Sequence, residues 1–138
     1  MKLAPLVTDN ITELLVKIIE FTQTRQKLIT LNINNLHTTG FVPHDLAVDE
    51  FSYAMTNAVD EHVRSHRLLL QDSDNVKFGA VGSFEVKPII DEEAKELLER
   101  DVNEYLEFQI NKLLENSLNQ RIAAELMKQK PEIMSIFE

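Results

Sequence analysis

Apolar residues recur with helical spacing along two long stretches, one toward each end of the chain. Ile11, Leu14, Leu15, Ile18, Phe21, Leu28 and Ile29 form the first set. Asn10 and Glu13 stand ahead of it at capping-box spacing, so the pattern predicts a helix over about 10–36. Gly40 supplies the backbone freedom to end that helix, and Pro43 blocks its resumption. The second set is Leu97, Leu98, Val102, Tyr105, Leu106, Ile110, Leu113, Leu114, Leu118 and Ile122. Acidic Asp91, Glu92 and Glu93 suit the start of a helix and Pro131 its end, which predicts one helix over about 91–130.

A shorter helix over about 45–70 is predicted between them, with Phe51, Met55, Ala58 or Val59, and Val63 on its apolar face. Residues 71–75 are a turn-forming cluster. Over 76–87, Gly79, Gly82 and the alternation Phe84-Glu85-Val86-Lys87 predict a small β-hairpin, closed by Pro88. The expected fold is mainly α, a single domain over 1–138. Its long N- and C-terminal helices should pack as an elongated antiparallel, coiled-coil-like pair.

One stripe of the first helix breaks the apolar rule. Arg25, Leu28, Asn32 and Asn35 are spaced three, four and three apart, and three of the four are polar. At a buried seam such residues cost stability but fix the register of the partner helix. Alternatively they face water at a fraying helix end, where asparagine is common. Pattern alone leaves both readings open.

Composition narrows the function classes. Apolar residues make up 43% and charged residues 27%, as in ordered soluble proteins. With 14 Lys and Arg against 23 Asp and Glu, the net charge is −9, which repels a nucleic-acid backbone. The chain has no cysteine, so thiolate catalysis and Cys-type zinc sites are excluded. No segment has the ~20 apolar residues needed to cross a bilayer. Pro5 interrupts the short apolar start, so no cleavable signal peptide is expected and the residues alone read as cytoplasmic.

Candidate chemistry is sparse. His62 and His66 are four apart on the predicted middle helix, near Asp60 and Glu61, and could share a metal. The spacing lacks the His-Glu-x-x-His order, so a solvated charged face is the better reading, and no cofactor is expected. His37 and His44 read as ordinary loop histidines. The carboxylates Asp91, Glu92, Glu93, Glu96 and Glu99 lie opposite leucines on a helix and read as solvated. With glycine only at 40, 79 and 82, no phosphate-cradling loop can be written, and no active site emerges. Met127, Ile133, Met134, Ile136 and Phe137 make the chain's end apolar, fit either for an interaction site or for docking on the chain's own first helix.

The run Asn32-Ile33-Asn34-Asn35-Leu36-His37-Thr38-Thr39-Gly40-Phe41, preceded by Arg25-Gln26, carries a resemblance. It resembles the N-terminal signature of the bacterial flagellar basal-body rod protein family, Asn-Ile-Ala-Asn-x-x-Thr-Pro-Gly-Tyr. The match falls on Arg25, Gln26, Asn32, Ile33, Asn35, Thr38 and Gly40, with Phe41 conservative. It departs at Asn34, Thr39 and Val42, where the family carries Ala, Pro and Lys or Arg. The Asp45–Phe51 stretch is similar to the segment that follows. Near the other end, Lys112-Leu113-Leu114-Glu115-Asn116-Ser117-Leu118 is similar to the family's Lys-Leu-Ala-Glu-Asn-x-Leu, which makes Leu113, Asn116 and Leu118 candidate packing positions. Residues 60–100 lie outside the resemblance.

The resemblance implies a structural subunit rather than an enzyme. It would assemble helically with its own copies and with other rod and basal-body proteins. It would leave the cell through the flagellar export apparatus without a cleaved signal and lie in the periplasmic rod, with no nucleic acid and no membrane insertion. The alternative is a cytoplasmic acidic helical adaptor or chaperone that binds a partner helix. A helix-bundle enzyme with a histidine–carboxylate metal site is a third class.

Overall fold

In a computed structural model the described residues are 4–79 and 83–129, with side chains described from Asn10 onward. The order is α1 (Ala4–Asn34), β1 (His44–Asp45), α2 (Val48–Ser65), β2 (Val76–Lys77), β3 (Glu85–Val86), β4 (Ile89–Ile90), α3 (Glu92–Arg100) and α4 (Val102–Lys128). The fold is mainly helical, with α1 packed along α4. Ala80, Val81 and Gly82, and the apolar tail with Ile133, Met134, Ile136 and Phe137, lie outside the described residues.

Helix α1 begins six residues before the expected start, because Pro5 sits in the first turn, where its missing N–H costs nothing. The Asn10–Glu13 capping box is not formed. Asn10 instead donates to the His66 carbonyl at 3.0 Å, and Glu13 pairs with Lys17 at 3.3 Å. At the other end α1 stops at Asn34, where Asn35 Nδ2 bonds the Leu31 carbonyl at 2.8 Å. Gly40 follows at φ +77°, a left-handed conformation that most side chains resist.

Helix α2 is shorter than its expected 45–70. Asp45 belongs to β1, and the helix ends where His66 turns left-handed at φ 57° and donates its N–H to the His62 carbonyl. The hairpin forms as expected, β2 pairing antiparallel with β3 through Val76↔Val86 and Lys77↔Glu85. Pro88 follows the hairpin's last strand, as expected, and separates it from a second sheet. The chain runs on into β4, which pairs antiparallel with β1 through His44↔Ile90 and Asp45↔Ile89.

The expected single helix over 91–130 is two helices. Asp101 is extended at φ −153°, ψ 104°, and its carboxylate accepts from the N–H groups of Asn103 and Glu104. It thereby caps α4 while its own N–H closes α3 on the Leu97 carbonyl. Two helices with satisfied ends replace one because Asp bonds well to free N–H groups at an N-cap and is a poor interior residue.

The apolar core lies between α1, α2 and the hairpin. Phe21 of α1 stacks on Phe51 of α2 with ring centroids 4.0 Å apart, and Phe78 stacks on Phe84 at 5.4 Å. Leu46, Ala54 and Val76 complete it. This cluster holds α2 and the hairpin on one side of α1. The side turned toward α4 is built differently, with several buried polar groups.

Candidate functional site

Three polar tiers tie α1 to α4. In the first, buried Asn116 of α4 donates from Nδ2 to the Thr22 carbonyl of α1 at 2.7 Å. The Thr22 hydroxyl turns back onto its own helix, donating to the Ile18 carbonyl at 2.8 Å.

The second tier is a charge node at Asp45, the end of β1. Arg25 donates to it in a fork, Nε to Oδ1 at 2.9 Å and Nη2 to Oδ2 at 3.1 Å. Lys112 of α4 reaches the same Oδ2 at 2.8 Å and also bonds Asp91, so α1, β1, α4 and the entry to α3 meet at one point. Burial alone would raise the Asp45 pKa. The Arg25 and Lys112 bonds outweigh it and hold the carboxyl below its ordinary value. A buried ion pair of this kind contributes little net stability, yet removing one partner leaves an uncompensated charge.

The third tier centres on Asn32, which is 1% exposed. Its Nδ2 donates to the His44 carbonyl at 2.8 Å and to Gln109 Oε1 at 3.1 Å, and its Oδ1 accepts the His44 N–H at 3.2 Å. The Tyr105 hydroxyl donates to the Asn32 carbonyl at 2.9 Å. Burial first, and Asp91 second, push the Tyr105 pKa up to about 12.

The sequence motifs therefore divide between inside and outside. Arg25, Asn32 and Asn116 point into the seam. Ile33, Asn35, Phe41 and Leu113 are half-buried. Gln26, Thr38, Gly40 and Leu118 are exposed. The proposed polar stripe splits as well: Arg25 and Asn32 are buried with partners in the same chain, whereas Asn35 accepts from the Thr38 hydroxyl at 3.0 Å as part of the helix end. In placement, Arg25 and Asn32 follow the buried reading and Asn35 the helix-end reading.

Sequence reasoning located the apolar stripe of α4 but not its division. Tyr105 and Ala123 are buried, while Ile110, Leu114, Leu118, Ile122 and Leu126 are 39–64% exposed. These five stand four residues apart and form one ridge along the helix. Their spacing was legible. What hid the division was that Gln109 and Asn116, both polar, take the inner face.

His62 Nδ1 faces Asn10 Nδ2 at 3.2 Å, and the His62 and His66 rings sit 5.8 Å apart, edge to face. Glu61 is engaged by Arg64, the Ser65 hydroxyl and Arg67, with Arg64 foremost in holding its carboxyl down to about 2. Among the described residues no three His, Cys, Asp or Glu side chains gather to hold a metal, and no helix is long and apolar enough to cross a membrane. No protein-family model, no curated protein and no solved structure matches the chain.

Proposed function

We propose that the chain is a structural subunit of the bacterial flagellar basal-body rod, most similar to the proximal rod protein. In this reading α1 and α4 run antiparallel as an elongated, coiled-coil-like pair within a single domain. The order of their contacts supports this: from Thr22 to Asn32 on α1, the partners on α4 step back from Asn116 to Gln109 and Tyr105. The inward signature residues preset the pair, locking register within one copy before any copy meets another.

The uncovered ridge Ile110–Leu114–Leu118–Ile122–Leu126 carries the reading. Burying each of these half-exposed side chains is worth roughly 1 kcal/mol, enough together to drive association when copies repeat the contact. A ridge that meets a different face of the next copy makes a heterologous contact, which extends as a helix instead of closing. Export without a cleaved signal would deliver the subunit to the periplasmic rod, where it would meet other axial proteins and transmit torque.

An adaptor or chaperone that binds a partner helix is the second reading, favoured by an apolar groove between α1, α2 and α4. Hook–basal bodies purified from the native cell decide between them. The rod reading predicts this chain among their components at a fixed ratio to the other rod proteins. Its absence there, with the chain recovered from cytosol in a discrete complex, would establish the adaptor.

A further inference from the structure

The groove is about 370 Å³ and runs between α1, α2 and α4. Leu15 and Ile18 of α1, Val48 and Met55 of α2, and Ile122 and Leu126 of α4 line it. Ile122 and Leu126 are 49% and 39% exposed, so the groove leaves apolar surface uncovered immediately ahead of the C-terminal end of α4. Arg25 and Asn116, each already hydrogen-bonded within the chain, also border it.

We propose that the groove is the docking site for the chain's own residues 131–138, seated in cis. Four observations favour that occupant. Ile133, Ile136 and Phe137 are spaced three and one apart, the i, i+3, i+4 pattern of a segment that presents one apolar face to a groove. Pro131 has no backbone N–H with which to extend the hydrogen-bond pattern of α4, which ends at Lys128. Length suffices: Ile122 lies about 9 Å back from Lys128 along α4, and eight residues span about 12 Å even at helical rise. Tethering then favours cis over trans, because a short link holds the tail at about millimolar effective concentration, far above that of a second copy in dilute solution. This inference does not depend on the rod reading; a seated tail would cover Ile122 and Leu126 and leave Ile110, Leu114 and Leu118 as the part of the ridge open to another copy.

The chain has no cysteine, so a Ser135→Cys variant carries one spin label, off the apolar face of the tail. In dilute solution the label should cut the NMR methyl signals of Leu15, Met55 and Leu126 more than twofold. Adding Ile133→Ser and Phe137→Ser should restore them. A mixed sample separates cis from trans: isotope-labelled chain without the spin label is combined with spin-labelled chain of natural abundance. Signal loss seen in that mixture as strongly as in the labelled chain would assign the groove to a second copy and overturn the proposal. Groove methyls at full intensity in the labelled chain would overturn it too, as would broadening that survives the double serine change. Contacts between the Met55 methyl and the Phe137 ring in the unmodified chain provide a check free of any substitution.

Discussion

Asn32 and His44 are joined by two hydrogen bonds, the asparagine amide donating to the His44 carbonyl at 2.8 Å and accepting its N–H at 3.2 Å. One side chain thus does for His44 what a neighbouring strand would do, and fixes the chain as it leaves the turn after α1. The adjacent Asp45 is placed by this clamp within reach of Arg25 and Lys112, so the loop that follows the signature sequence is tied to both long helices.

Replacing Asn32 with leucine would leave the His44 N–H and carbonyl and Gln109 Oε1 without their partner. At 1–3 kcal/mol for an orphaned buried group, partly relieved by relaxation, the expected loss is about 3 kcal/mol. Asn35→Leu, at a half-buried helix end, should cost under about 1 kcal/mol. Urea denaturation of the two variants checks this. Equal losses would mean that the clamp does not hold the loop.

Asp45 gives a pH signature. Its pKa is depressed in the folded chain, so its contribution is fully present above its ordinary value of 3.8 and is lost as pH falls through the folded value. Asp45→Asn should cost about 3 kcal/mol at pH 7, because it leaves Arg25 buried beside a neutral group. The gap between parent and variant should narrow as pH drops below about 4. Chemical denaturation at pH 7, 5 and 3 measures it, and a gap that stays constant or widens in acid contradicts the assigned pairing.

Asp101 tests the break between α3 and α4 by sign. If the region were one continuous helix, Asp101→Ala would stabilise it, since alanine is the better helix former. With Asp101 as the cap of α4, the same change should cost about 1 kcal/mol. Thermal unfolding followed by circular dichroism gives the sign directly.

Much of the fold was legible in the chain, and the failures have identifiable causes. Phe21 and Phe51 announced their helices through spacing alone, and Gly40 announced the end of the first. The Asp101–Glu104 spacing is itself a capping signal, but an apolar stripe running unbroken from Leu97 to Ile122 masked it. The β1–β4 pairing involves two residues from each strand, separated by most of the middle of the chain, so no local periodicity could mark it. For Arg25 and Asn32, pattern put the side chains on one stripe but left open whether it was buried, and did not reveal whose groups they would meet. Their partners, Asp45 and Gln109, come from elsewhere in the same chain.

The mass of the chain as a function of concentration, measured by light scattering on the parent and on a Leu114→Ser, Leu118→Ser variant, tests the central claim most directly. Both residues are more than half exposed, so the variant should keep the parent's circular dichroism and thermal stability. The account predicts that the parent grows from monomer to open-ended polymer as concentration rises, while the variant remains monomeric at least tenfold further. A parent that stays monomeric or stops at one closed oligomer would contradict it, as would a variant that polymerises at the parent's concentration.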